Sequence, residues 1–264
     1  MKTKFTLATL IFTLVSFVSF SQKTIDAEDI IRDIKAGKDI SISNATIEGN
    51  LDFTYMEEKL ESLPQKKRRR RWWNSNNGDN KIKNVIEVSI SFENVTFNDD
   101  VLAYIPDSED SGYTFIAHFE DNAIFKNCVF KRKAMFKYSK FENDSSFENA
   151  DFQDDTTFKY SEFRRAANFA NTTFENAATF KYTDFSTFVS FANSTFEESA
   201  TFKYTKFRNG VSFKDVKFEE DLNLKYTEVR GKFDISGMKV AYDIDSKYTS
   251  INGKSFTRYL VNNQ

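Results

Sequence analysis

The sequence predicts an all-β solenoid in which short extended segments wind into about eight square coils around a stacked aromatic core, with a short helix over the first coil. Two observations carry this. Large apolar residues recur at alternating gaps of five and six through Phe119, Phe125, Phe130, Phe136, Phe141, Phe147, Phe152, Phe158 and Phe163 and on to Phe218, so every position returns after 22 residues. Neither a 3.6-residue nor a 2-residue period produces that spacing, and self-similarity at a fixed period of this length marks a repeat architecture. Second, a small residue stands two places before each large one: Cys128, Ala134, Ser139, Ser145, Ala150, Thr156, Ser161, Ala167, Thr172, Ala178. Side chains two apart on an extended segment point the same way, so each short side turns one bulky and one small residue inward.

Residues 1–21 read as an export signal. Lys2 and Lys4 precede the apolar run Leu7 to Phe20, and Ser19 and Ser21 occupy the small positions before a cleavage point ahead of Gln22. The run is too short and too early for a spanning helix, and nothing later in the chain is apolar for long enough to cross a membrane. Residues 22–41 hold a helix, predicted over Ala27 to Ala36, with Asp26 as N-cap, Asp29 at the capping-box position and Gly37 as terminator. Ile30, Ile31 and Ile34 share a face, so this helix is expected to shield the edge of the first coil.

Residues 42–251 divide into four walls. Wall one stacks Ile42, Phe92, Phe125, Phe147, Phe169, Phe191, Phe213 and Ile235; wall two stacks Ile47, Phe97, Phe130, Phe152, Phe174, Phe196, Phe218 and Val240. Wall three holds Phe53, Ala103, Phe136, Phe158, Phe180, Phe202, Leu224 and Ser246, and wall four Ile86, Phe119, Phe141, Phe163, Phe185, Phe207, Val229 and Ile251. Ala103 and Ser246 leave gaps in wall three. Two insertions, at about 57–83 and 104–116, leave between walls three and four; Phe53 to Ile86 takes 33 residues and Ala103 to Phe119 takes 16 where 5 would serve. Residues 252–264, with Phe256, Tyr259, Leu260 and Val261, form a C-terminal cap or, alternatively, an end-to-end homodimer contact.

The units Ala150-Asp151-Phe152, Ser161-Glu162-Phe163 and Ala167-Asn168-Phe169 resemble the repeat motif of pentapeptide-repeat proteins. That resemblance, over residues 42–251, implies a right-handed quadrilateral parallel β-helix. The chain departs from the family pattern in giving two of its four sides a sixth residue, where wider corners are expected. Some members of the family resemble duplex DNA in shape and charge and bind a topoisomerase; a formal net charge of −2 and an export signal argue against that role here.

Composition supports the repeat reading: 30 Phe accompany 2 Pro, 8 Gly, 1 His and 1 Cys. With one cysteine no intrachain disulfide forms, and Cys128, in an inward small slot, reads as a buried structural thiol. One histidine, His118, no metal-ligand spacing, no glycine-rich phosphate loop and no nucleophile elbow leave no catalytic, metal or cofactor site to nominate. Carboxylate pairs such as Asp154 with Asp155 and Glu219 with Glu220 are expected to face water.

Constant coil length also aligns outward residues. Asn44, Asn94, Asn127, Asn149, Asn171, Asn193 and Asp215 fall three residues before wall two and predict a structural amide ladder. Tyr55, Tyr138, Tyr160, Tyr182, Tyr204, Tyr226 and Tyr248 form a second column, the last six preceded by Lys137, Lys159, Lys181, Lys203, Lys225 and Lys247. Ammonium groups about 4.8 Å apart repel by ~0.9 kcal/mol per neighbouring pair in water, and Glu162, Asp184 and Glu228 are expected to supply part of the counter-charge. The strip reads either as an orderly solvated face of stacked rings or as a flat aromatic and cationic surface for a protein, a glycan or an anionic polymer. The first insertion adds the basic run Lys66, Lys67, Arg68, Arg69, Arg70, Arg71, Trp72 and Trp73, and the second an acidic tip of Asp107, Glu109 and Asp110. The functional expectation is a non-enzymatic exported binding module or scaffold, periplasmic or secreted. Its partner is an unidentified protein or envelope polymer rather than nucleic acid, met on the face between walls three and four.

Overall fold

Parallel strands of two residues, one per wall per coil, build the molecule, a computed structural model that describes residues 23–63, 80–106 and 113–262. Residues 1–21, Lys66 to Trp73 and the tip at Asp107, Glu109 and Asp110 lie outside the described residues, as do the side chains of Leu260 and Val261. Wall three is an eight-stranded sheet, one strand for each of eight coils. Walls one and two share a 15-stranded sheet, because Ile40–Glu48 and Ile90–Phe97 run on through the corner between them.

The register is the one the 22-residue ruler predicts. Phe130 pairs with Phe152, Phe152 with Phe174 and Phe196 with Phe218 on wall two, and Phe141 with Phe163 and Phe207 with Val229 on wall four. In the first two coils the step lengthens to Ile47↔Phe97 and Phe97↔Phe130, which absorbs both insertions without moving a wall residue out of its column. The sixth residue is accommodated where expected, in corners such as Gln153 to Asp155.

The core is a lattice of rings. Phe147, Phe152, Phe158, Phe163, Phe169, Phe174, Phe180 and Phe185 are each at most 1% exposed. Within a wall the rings stack, Phe147 on Phe169 at 5.0 Å and 10° and Phe158 on Phe180 at 5.1 Å and 9°. Between walls one and three they meet edge to face, Phe147 with Phe158 at 5.1 Å and 74° and Phe158 with Phe169 at 5.2 Å and 83°. Both arrangements suit the ring quadrupole, which is why phenylalanine fills the interior of the middle coils. Ala103 leaves a smaller gap than its size suggests, because Phe119 from wall four reaches within 5.2 Å of Phe53.

The small slots carry a second, polar lattice. Ser161, Thr183, Thr205, Thr227 and Thr249 donate their hydroxyls to the carbonyls of Phe136, Phe158, Phe180, Phe202 and Leu224, at 2.6–2.8 Å. Thr172 and Ser194 do the same to Phe147 and Phe169. Each such bond satisfies a buried hydroxyl that would otherwise be costly. Ser139 breaks the series: its Oγ has no partner among the described residues, and the Ala103 carbonyl one coil earlier accepts the amide of Ala117, just after the second insertion, instead.

The N-terminal helix α1 (Ala27–Lys35) caps the stack, with Asp26 accepting the Glu28 amide at 2.9 Å and Gly37, at φ +72°, ending it. Two details differ from expectation. Asp29 forms no capping box but pairs with Arg32 at 2.7 Å, and the buried face is Ala27, Ile30 and Ile34, with Ile31 only half-buried. A strand at Lys23–Asp26 also pairs with Ala45–Glu48, adding one more layer to wall two. At the far end helix α3 (Phe256–Asn262) buries Phe256. Tyr259 places its ring 5.3 Å from Phe233 and donates its hydroxyl to the Phe233 carbonyl at 2.7 Å. Phe233 sits in a slot that holds Val211 one coil earlier; it is covered by α3 rather than by another coil.

Cys128 is free and buried, and burial pushes its thiol up to about 12. Because the thiolate is the reactive form, the folded protein should resist alkylation at pH 8 while the urea-unfolded chain reacts in full. Thiol titration in the two states measures this, and equal rates would contradict the buried placement.

Candidate binding edge

The corner between walls three and four is built from a repeated four-residue turn. In the fourth coil Ser161 donates its amide to the Phe158 carbonyl at 3.0 Å, with Lys159 and Tyr160 between them and Tyr160 at φ +62°. A closed turn with a left-handed third residue is a type II turn. Tyr138, Tyr182, Tyr204, Tyr226 and Tyr248 share the conformation, at φ between 59° and 64°. The left-handed region costs a residue with a Cβ roughly 1–2 kcal/mol. Asparagine tolerates it best, and the Asn column at the corner between walls one and two has the same left-handed φ. The amide ladder predicted there exists in pairs: Asn94 to Asn44 at 3.3 Å, Asn149 to Asn127 at 2.8 Å and Asn193 to Asn171 at 3.1 Å.

Tyrosine in that conformation is held from three sides. From Tyr138 to Tyr226 each amide bonds to the lysine carbonyl of the next coil, as Tyr160 to Lys181 and Tyr182 to Lys203, both at 3.0 Å. The buried threonines beneath bond to the same turns. The rings stack from Tyr138 to Tyr248, with Tyr160 to Tyr182 at 4.7 Å and 4°, Tyr182 to Tyr204 at 4.6 Å and 2°, and Tyr204 to Tyr226 at 4.6 Å and 1°. Tyr55 stands apart from this run, with Lys35 over its ring at 4.6 Å, while Tyr104 meets Tyr138 at 6.0 Å.

This geometry changes what the edge offers. Ring faces are occupied by neighbouring rings, so Tyr160, Tyr182, Tyr204 and Tyr226 turn only edges and hydroxyls outward, and no flat aromatic surface is available along the strip. Tyr248, 63% exposed, ends the stack. The lysines fold over their own rings, with Nζ 5.2 Å from the centroid for Lys159 and Lys181, 5.3 Å for Lys203 and 5.9 Å for Lys225. Lys137 also reaches the Tyr104 hydroxyl at 3.0 Å.

The expected counter-charges do not reach them. Glu162 pairs with Arg164 at 2.6 Å and Lys140 at 3.6 Å, Asp184 binds Arg208 through Nε at 2.6 Å, and Glu228 pairs with Arg230 at 2.7 Å. These carboxylates stand on wall four, where cations of that wall and of the next corner are nearer. Among the described residues the ion pairs leave Lys137, Lys159, Lys181, Lys203, Lys225 and Lys247 without a carboxylate. Burial, then Lys137 and Lys181, lowers the affinity of Lys159 for its proton.

A feature missed in the sequence lies at the other end of wall three. The corner between walls two and three carries Asp154 and Asp155, then Glu175, then Glu197 and Glu198, then Glu219, Glu220 and Asp221, then Asp243, one group per coil. None of them has a cationic partner among the described ion pairs. Burial, then Asp151 and Glu197, raises Glu175. Column reading of the residues after each wall-two phenylalanine would have found this edge; reading them as isolated pairs did not.

The two insertions come together. Lys81–Ile86 and Thr114–Phe119 pair in parallel over their whole length, extending wall four past the square, and Tyr104–Ile105 pairs antiparallel to the second. Helix α2 (Met56–Ser62) is tied down by Lys59, which bonds to Asn84 at 2.8 Å. His118 on the second strand accepts the Lys140 amide at 3.2 Å, and burial lowers its pKa. Among the described residues no group of three or more His, Cys, Asp or Glu is arranged to hold a metal ion, and no helix is long and apolar enough to cross a membrane.

Residues 117–162, 158–206 and 189–228 match the family described as pentapeptide repeats (9 copies). Residues 117–228 are pentapeptide repeats. No curated protein and no solved structure matches it. The matched stretch covers most of the regular 22-residue coils and carries the tyrosine stack from Tyr138 to Tyr226 and the acidic edge from Asp154 to Asp221.

Proposed function

We propose that this pentapeptide-repeat protein is a non-enzymatic, exported binding module or scaffold that engages an acidic surface along its Lys–Tyr edge. The lysine column carries the reading: ammonium groups repeat once per coil, rooted in hydrogen-bonded turns, with no carboxylate against them among the described residues. An acidic partner removes their mutual repulsion. The left-handed tyrosines support the same edge, because strained backbone persists where the surroundings over-determine it and gathers at ligand-contacting segments. Both insertions leave from this edge, and the first residues, with Lys2, Lys4 and the apolar run to Phe20, support export.

A glycan held by ring stacking is the weaker alternative, since the ring faces are covered. An anionic polymer would use the same lysines and the outward hydroxyls. Crosslinking capture from the native envelope tests the reading. Wild type should recover an acidic partner that the triple variant Lys159→Ala, Lys181→Ala, Lys203→Ala loses while keeping its circular dichroism spectrum. Recovery of the same partner at equal yield by the variant overturns it.

A further inference from the structure

We infer that the acidic partner of the Lys–Tyr edge is the opposite edge of wall three on a second copy of this chain, so that solenoids associate side by side. The inference rests on the proposed use of the lysine edge and names its partner. Three observations support it. Both columns have the same pitch, because each coil contributes to both, about 4.8 Å apart; ladders of opposite charge therefore match tooth for tooth over any number of coils. Both are uncompensated among the described residues: the ion pairs give the lysines no carboxylate and give Glu175, Glu197, Glu198, Glu219 and Glu220 no cation. Both also run together through the fourth to eighth coils, from Asp154 and Lys159 to Asp243 and Lys247; only in the third coil, where the corner is basic at Lys131 to Lys133, does Lys137 have no acidic counterpart.

The titration shifts agree with this picture. After burial, the neighbours that disfavour charge on Lys159 are Lys137 and Lys181, and those that disfavour it on Glu175 are Asp151 and Glu197. Each column is repelled by itself and is relieved by the other. Single exposed ion pairs are weak, but a ladder acts multivalently once the first pair has formed. Because the two edges are different surfaces, the contact is heterologous, and every added copy leaves one edge of each sign free. Assembly thus continues past the dimer unless it closes into a ring.

Sedimentation velocity of the purified protein at about 20 mM and about 500 mM NaCl reads this out, since added salt shortens the reach of exposed charges. Species larger than dimers are expected at low salt, with association at least about tenfold weaker at high salt. The variant Lys181→Glu, Lys203→Glu, Lys225→Glu and the variant Glu175→Lys, Glu197→Lys, Glu219→Lys should each be monomeric alone. Mixed together they should assemble, because one presents two acidic edges and the other two basic ones. Circular dichroism checks that both remain folded. Wild type that stays monomeric at low salt, charge-reversed variants that assemble like wild type, or a mixture of folded variants that does not assemble each overturns the inference. A monomeric wild type whose lysine-to-alanine variant still loses an envelope partner removes self-association and leaves the proposed function standing; an unchanged envelope partner with intact self-association does the reverse.

Discussion

Phe158→Ala is expected to destabilise the solenoid by about 3–5 kcal/mol, the cost of deleting a fully buried aromatic ring from a packed core. Phe158 is 0% exposed and touches rings on every side. It stacks on Phe136 and Phe180, each at 5.1 Å, meets Phe147 and Phe169 edge to face at 5.1 and 5.2 Å, and lies 6.0 Å from Phe163. The surrounding rings cannot close over the void, because each is held in its own column by backbone pairing above and below. In a repeat array stability is close to a sum of coil and neighbour terms, so a break in the fourth coil uncouples the two halves. Ile235→Ala, in the last coil, removes a residue only partly buried and should cost less than half as much. Urea titration followed by circular dichroism compares them. Equal losses at the two positions would mean the rings are not the shared core.

Gly210→Ala should cost about 3 kcal/mol or more. Gly210 turns the corner between walls four and one at φ +96°, where an L side chain is strained, and a Cβ there would come within 2.4 Å of the Lys232 carbonyl oxygen and 2.9 Å of the Lys232 nitrogen. Both are backbone atoms of the next coil, and that carbonyl accepts the Val211 amide at 2.8 Å. Relief therefore requires separating two coils. Strain and overpacking of this kind each contribute about 1–3 kcal/mol. Gly37→Ala is the control: its φ is +72°, but no atom lies within 4 Å of the added methyl, so only the conformational cost applies. The Gly210 variant should therefore melt in urea well before the Gly37 variant; coincident curves would show that the seventh and eighth coils are not in close contact there.

The two substitutions also separate what could be read in advance from what could not. Phe158 was assignable from spacing alone, since a ring that returns every 22 residues has one place to go. Gly210 was not, because its constraint comes from Lys232 in the next coil. The same division runs through the binding edge. The Lys–Tyr column was legible, and so was the chance that its rings stack on one another. Its left-handed turns were legible in principle: Tyr160 follows Phe158 by two, as Asn149 follows Phe147 by two, and the asparagine signals the conformation. The charge pairing was not. Glu162, Asp184 and Glu228 sit on the same side of the coil as the lysines, yet bind arginines, and only side-chain directions decide between those partners.

The amino-acid order by itself determined the coil length, the membership of each wall and the identity of the core, because a strict 22-residue period allows identical positions to meet only by stacking, whatever the details of the corners. Tertiary structure alone decided which charges are neutralised, which ring faces remain open, why Ser139 lacks a partner among the described residues and how the two insertions pair. Those outcomes depend on contacts a few ångströms long between residues 22 or more apart, where the direction of a side chain, and not its place in the period, selects the neighbour.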